Sequence, residues 1–111
     1  MWVSVCDVSH IAVGEMKYYT HNHFSFIVVR LDSNTFSVFQ SECPHKGGPL
    51  QKGELRDGKI ICPWHSYEFD LITGEAVVVP YSEKYGAWRN TGKLKFIRHR
   101  VVDNRLEVDT E

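Results

Sequence analysis

Two short segments carry the side chains that are best suited to bind a metal. The segment SECPHKGGPL, residues 41 to 50, contains Cys43 and His45, and the segment ICPWHSYEFD, residues 61 to 70, contains Cys62 and His65. Each segment offers one thiolate and one imidazole, and sixteen residues separate His45 from Cys62. Such soft and borderline ligands favour transition metals. The paired spacing therefore predicts that the two segments converge on one metal centre.

Two kinds of metal centre fit this set of four ligands. A structural zinc ion accepts two cysteines and two histidines in a tetrahedral arrangement. Zinc sites, however, usually take paired cysteines from one knuckle, whereas each segment here mixes a cysteine with a histidine. In a two-iron centre, one iron is held by both cysteines and the other by both histidines, so each mixed segment supplies one ligand to each iron. The mixed segments favour the two-iron centre.

The residues around these ligands carry a family resemblance. The runs Cys43 to Leu50 and Cys62 to His65, followed by Phe69-Asp70 and Thr73-Gly74-Glu75, resemble the two cluster-binding loops of the Rieske [2Fe-2S] family. The resemblance is strongest to the small soluble Rieske-type ferredoxins of bacterial oxygenase systems. It implies one Rieske-type [2Fe-2S] cluster, with one iron bound by Cys43 and Cys62 and the other by His45 and His65.

Four further residues are expected to surround the cluster. Gly47 and Gly48 would act as turn residues and would also let bare backbone N–H groups approach the sulfides. By the same resemblance, Leu50 and Trp64 would shield the cluster, with ordinary core packing as the alternative.

The resemblance also predicts where the reduction potential lies. High-potential respiratory relatives join the two loops by a disulfide, at the positions held here by Gly48 and Trp64. They also place a serine and a tyrosine that donate hydroxyl hydrogen bonds toward the cluster, where this chain has Tyr67 and Phe69. We therefore expect a potential in the lower part of the family window of about −150 to +300 mV.

The elements that must position these loops are predicted to be β-strands. Short runs rich in β-branched and aromatic residues are separated by turn signatures at Asp32-Ser33-Asn34, Asp57-Gly58, Thr73-Gly74 and Asp103-Asn104. The predicted strands span residues 24 to 31, 35 to 40, 59 to 62, 75 to 79, 94 to 100 and 105 to 109. This pattern predicts a small all-β domain of antiparallel hairpins, shaped as a sandwich or barrel.

The resemblance refines this fold into a Rieske-type antiparallel β-sandwich with an inserted cluster-binding subdomain. The base domain is expected at about residues 1–40 and 75–111, and the cluster-binding subdomain at about 41–74. Residues 80 to 93 are polar and turn-rich but carry Tyr81, Tyr85 and Trp88, so we expect an ordered excursion there.

Length, charge and cysteine content limit the functional class. A chain of 111 residues builds a single domain, and 13 basic against 14 acidic residues give no field that would recruit nucleic acid. The absence of a charged leader and of a long apolar run predicts a soluble cytoplasmic protein without membrane association. Three cysteines do not form a disulfide scaffold, and the third, Cys6, is expected to be a small buried hydrophobic residue.

The function expected from these features is electron transfer without catalysis. The leading hypothesis is a monomeric ferredoxin that carries single electrons from a flavin-dependent reductase to a terminal oxygenase through transient contacts. The alternative is a small Rieske subunit held permanently in a larger redox enzyme, such as nitrite reductase. A third hypothesis, which assumes a structural zinc ion in place of the two-iron centre, is a zinc-stabilised interaction module.

Overall fold

The described part of the protein is built from β-strands. The computed structural model describes residues 1–44, 48–63, 67–78 and 93–110. Within these ranges the strands are β1 (Trp2–Asp7), β2 (Met16–His21), β3 (Phe24–Arg30), β4 (Phe36–Gln40), β5 (Glu54–Arg56), β6 (Lys59–Ile61), β7 (Glu68–Asp70), β8 (Ala76–Val78), β9 (His99–Val102) and β10 (Arg105–Asp109). Short 3-10 turns at Val8–His10 and Leu50–Lys52 are the helical segments of the described ranges. The predicted antiparallel all-β class is confirmed.

The chain divides into two compact units. The first contains Met1–Gln40 and Phe96–Glu111, and the second contains Ser41–Lys95. The predicted assignment of residues 41–74 alone to a cluster-binding subdomain stays a prediction.

The first unit contains two three-stranded antiparallel sheets, with strand orders β1-β10-β9 and β2-β3-β4. In the middle strand β3, four successive residues from Phe26 to Val29 are buried, because both faces of that strand are covered. Cys6 belongs to the core of this unit and is 6% exposed, which confirms its predicted burial. The other buried members of the core are Ile11, Phe26, Val28, Phe36, Val38, Ile97, Leu106 and Val108.

In the second unit, the described residues form a four-stranded antiparallel sheet in the order β5-β6-β7-β8. Strands β5 and β6 are joined by the predicted turn at Asp57-Gly58, whose φ angles are 51° and 76°. Two successive residues with positive φ match a two-residue hairpin turn, in which glycine and aspartate are favoured. Each strand follows its neighbour in sequence, so the sheet is a simple meander.

Some predicted boundaries differ from the structure. The run predicted as a strand over 94 to 100 forms a ladder only from His99, and Phe96 makes an isolated bridge to Phe39. The alternating pattern there has another cause, because Leu94 is buried in the second unit and Ile97 in the first. The predicted excursion at 80 to 93 lies outside the described residues except for Lys93.

No helix in the described ranges has the length and apolar character needed to cross a membrane.

Candidate metal centre

The first cysteine lies at the end of a short hairpin. Within this hairpin, the Leu50 N–H donates to the Ser41 carbonyl at 2.9 Å, and Glu42 bridges to Pro49. The Cys43 N–H then donates to the Gly48 carbonyl at 2.8 Å. Cys43 and Gly48 are therefore paired, and residues 44 to 47 separate them in the sequence.

The second cysteine lies at the end of the hairpin formed by β6 and β7. Ile60 pairs with Phe69 and Ile61 pairs with Glu68. Continuing this register, the Cys62 N–H donates to the Tyr67 carbonyl at 2.8 Å. Residues 63 to 66 separate Cys62 from Tyr67 in the sequence.

The two hairpins therefore hold their cysteines in equivalent ways. Each cysteine N–H donates to the carbonyl five residues later, and in each case the four residues between them in the sequence begin with proline. Both cysteines are buried, with Cys43 only 2% and Cys62 only 1% exposed. A pair of buried thiols at matched positions in one compact unit is a donor set of the kind that binds iron as thiolates.

The hairpins are accompanied by large apolar side chains with no exposed surface. Leu50, Ile60, Tyr67 and Phe69 are each 0% exposed, and the Tyr67 and Phe69 rings stack with centroids 6.3 Å apart. The predicted burial of Leu50 is therefore present, while its shielding of a cluster stays a prediction. Dry surroundings of this kind lower the local dielectric constant and disfavour added charge.

Several predicted site residues lie outside the described ranges. These residues are His45, Gly47, Trp64 and His65. Gly48 is described and buried, and its carbonyl is the acceptor that closes the first loop.

A rigid turn follows the second hairpin at Asp70. The Asp70 carboxylate accepts hydrogen bonds from the N–H groups of Ile72 at 2.7 Å and Thr73 at 2.9 Å. The N–H groups of Thr73 and Ile72 thereby hold the pKa of Asp70 below its ordinary value. The Gly74 N–H also donates to the Asp70 carbonyl at 2.8 Å. Asp70 therefore fixes the connection from β7 to β8.

One residue near the hairpins was not found by sequence reasoning. Gly53 follows the 3-10 turn and lies against the backbone of Ile61, next to Cys62. In the sequence, this glycine stands among polar residues and looks like an ordinary turn residue. Its close contact depends on strand register, which the sequence does not show directly.

Comparison with known proteins identifies the family. The Rieske [2Fe-2S] domain family matches residues 1–98. The chain therefore belongs to the Rieske [2Fe-2S] domain family, and the resemblance predicted from the two loops is confirmed.

Solved structures show the same fold. The ferredoxin of carbazole 1,9a-dioxygenase from Nocardioides aromaticivorans superimposes with a TM-score of 0.80 at 20% identity, covering 99% of this chain and 98% of that one. Dicamba monooxygenase superimposes with a TM-score of 0.79 at 21% identity, covering 97% of this chain and 33% of that one. At these identities the likeness is one of fold.

Curated relatives are longer proteins. Cholesterol 7-desaturase nvd 1 of Ciona intestinalis is 33% identical over 91 residues, which are 81% of this chain and 19% of the desaturase. Apoptosis-inducing factor 3 of Homo sapiens is 35% identical over 72 residues, 65% of this chain and 12% of that protein. A Rieske domain-containing protein of Homo sapiens is 31% identical, covering 74% of this chain and 57% of its own length. The chain thus spans a fifth or less of the first two relatives.

Family membership assigns one Rieske-type [2Fe-2S] cluster to the chain. The donor chemistry of the described residues fits that group, because two buried cysteine side chains occupy matched hairpin positions. Such a cluster supplies one-electron transfer when bound. An electron-transfer component is therefore the class of protein that the fold and the family define.

Proposed function

We propose that this chain is a Rieske-type ferredoxin that carries single electrons from a flavin-dependent reductase to a terminal oxygenase. In this proposal Cys43 and Cys62 bind one iron, and His45 and His65 bind the other. The observation that carries the proposal is the pair of equivalent hairpins, each with a buried cysteine whose N–H donates to the carbonyl five residues later. The protein works as a cytoplasmic monomer through transient contacts, as is common for electron-transfer partners.

Gly47, Gly48, Leu50 and Trp64 surround the cluster in this proposal. Gly48 and Leu50 are both buried, which agrees with a place next to a cofactor shielded from water. Without a disulfide between the loops, and with Tyr67 and Phe69 in place of a serine and a tyrosine, the potential lies in the lower part of the window of about −150 to +300 mV.

Spectroscopy of the reduced protein tests the ligand set. The dithionite-reduced chain should give the EPR spectrum of a Rieske centre, whose average g value is lowered by the nitrogen ligands. Cys43→Ser and Cys62→Ser should abolish the cluster. His65→Cys should move the midpoint potential toward the value of about −400 mV typical of all-cysteine ferredoxins, because a thiolate adds negative charge. A colourless protein with one zinc ion per chain would contradict the proposal and support the zinc module.

A second candidate function is a small Rieske subunit held permanently in a larger redox enzyme, such as a nitrite reductase. It is supported by the curated relatives, in which the matching region is a minor part of a longer protein. Size-exclusion chromatography of the natively expressed protein separates the two candidates. A free monomer supports the carrier, and co-elution with a larger enzyme supports the subunit.

A further inference from the structure

The backbone conformation of Gly53 does not require glycine. It ends the 3-10 turn Leu50–Lys52 with a φ of −81° and a ψ of −167°. This is extended backbone that residues with side chains adopt readily. Glycine is therefore required at this position because there is no room for a side chain.

The space beside Gly53 is closed by backbone atoms. A methyl group on its Cα would lie well under 3.0 Å from the Ile61 carbonyl oxygen, 3.1 Å from the Ile61 carbonyl carbon and 3.2 Å from the Leu50 oxygen. Backbone groups cannot rotate away as the end of a flexible side chain does. Any side chain at Gly53 would therefore displace one of these segments.

Those segments belong to the two cysteine hairpins. Strand β5 pairs Glu54 with Ile61, so continuing this register places Gly53 opposite Cys62. Gly53 is thus the point at which the segment that leaves the first hairpin lies opposite Cys62, the residue that follows β6.

The first hairpin is joined to Gly53 by consecutive hydrogen bonds. The Gly53 N–H donates to the Leu50 carbonyl at 2.9 Å, and the Leu50 N–H donates to the Ser41 carbonyl at 2.9 Å. Ser41 lies two residues before Cys43 in the same hairpin. A displacement at Gly53 is therefore transmitted to the base of the Cys43 loop, to the Cys62 strand, or to both.

We propose that Gly53 is a positioning residue that sets the separation between the Cys43 and Cys62 hairpins so that both thiolates reach one iron. The inference rests on the ligand set in the proposed function. Metal–ligand distances are tolerant to only about 0.2 Å, so a displacement of the size that a methyl group forces here is large on that scale. Gly53 would thereby act on the cluster through the two cysteine hairpins.

Gly53→Ala tests this proposal, with Gly58→Ala as the matched control. Gly58 lies in the same β5–β6 hairpin with a φ of +76°, and a methyl group there meets no atom within 4 Å. The control therefore strains the turn without pushing the two hairpins apart. Both full-length variants are expressed and loaded like the wild type. Iron per chain should fall about tenfold in Gly53→Ala, as for residues that orient metal ligands, and should be kept in Gly58→Ala.

Spectroscopy and hydrogen exchange separate positioning from a merely structural role. The residual cluster of Gly53→Ala should show shifted EPR g values and a shifted midpoint potential. Its amide protection across β5, β6 and β7 should match that of Gly58→Ala. If Gly53→Ala loses that protection while Gly58→Ala keeps it, the role is structural and the proposal is overturned.

Two further outcomes distinguish failure of this inference from failure of the proposed ligand set. An unaltered spectrum and iron content in Gly53→Ala, beside a normal wild type, overturn this inference alone. A wild-type chain without a Rieske spectrum, or one whose cluster survives Cys43→Ser and Cys62→Ser, overturns the ligand set and with it this inference.

Discussion

Replacement of Arg30 by methionine should destabilise the first unit by about 3 kcal/mol. The Arg30 guanidinium donates from Nη1 to the carbonyls of Val8 and Ile11, both at 2.9 Å and partly buried, and from Nη2 to the Ser33 carbonyl at 2.7 Å. A hydrogen bond from a charged group contributes about 1.5 kcal/mol or more, so the two partly buried bonds account for about 3 kcal/mol. The exposed bond to Ser33 adds little. The Arg30 guanidinium also lies 5.4 Å from the centre of the Phe36 ring. Methionine is chosen because it keeps an unbranched apolar side chain at this position while removing the hydrogen-bond donors.

Urea unfolding of the full-length chain measures this loss. Arg98→Met is the matched control, because its side chain is 78% exposed and its ion pair with Asp109, at 3.3 Å, should contribute less than about 1 kcal/mol. The slope of free energy against urea should stay unchanged, which shows that the extent of unfolding is the same. A loss from Arg30→Met no larger than that from Arg98→Met would refute the assignment of these hydrogen bonds to the stability of the fold.

Three further predictions concern the second unit. Ile60→Ala should lower the free energy of unfolding in urea by about 3 kcal/mol, because the Ile60 side chain is 0% exposed. The control Ile72→Ala should change it by no more than about 0.5 kcal/mol, because Ile72 is 77% exposed. Equal effects of the two substitutions would contradict the burial of Ile60. Asp70 has a lowered folded pKa, so its contribution is present above the unfolded pKa and is lost as pH falls through the folded value. Asp70→Ala should therefore differ from the wild type at pH 7 and converge with it in acid, and a constant difference would argue against a role for the carboxylate. Removal of iron with a chelator should lower amide protection at Cys43 and Cys62 while β3 stays protected, which hydrogen exchange detects; loss in β3 first would refute this order.

The two segments that carry the proposed ligands gave the clearest signal in the sequence. Cysteine, histidine, proline and glycine have strong local preferences, and the two loops repeat a similar set of types at a fixed separation. The turn at Asp57-Gly58 was predictable for the same reason, since few residues accept two successive positive φ angles. Family membership and the all-β class followed from these local signals.

The short strands were harder to predict. Strand β5 has three residues, of which only Leu55 is partly buried, so it is too short for its alternation of polar and apolar residues to indicate a strand. Strand β2 lies at the edge of its sheet and carries polar residues such as Lys17 and Thr20. A strand of this kind is held by pairing with its neighbour rather than by its own pattern. Strands β1 and β7 were also absent from the predicted set.

Gly53 shows a second kind of feature that the sequence does not predict. Its contact with the Ile61 backbone arises because two registers meet, that of the first hairpin and that of β5 with β6. Each strand register depends on which residues pair across two segments. A glycine in a polar segment gives no sign of such a contact. Close backbone approaches of this kind follow from the assembled sheet.

The equivalence of the two hairpins clarifies why their ligand spacings differ. Both loops have four residues between the cysteine and its paired partner, yet the histidine is the second of these residues in the first loop and the third in the second. The two cysteines therefore have equivalent backbone hydrogen bonds, to Gly48 and to Tyr67. The histidines differ in the sequence, because each lies at a different offset from its cysteine. In the proposed ligand set, backbone pairing in the two hairpins thus positions the thiolates for one iron, and the unequal offsets of His45 and His65 distinguish the ligands of the other.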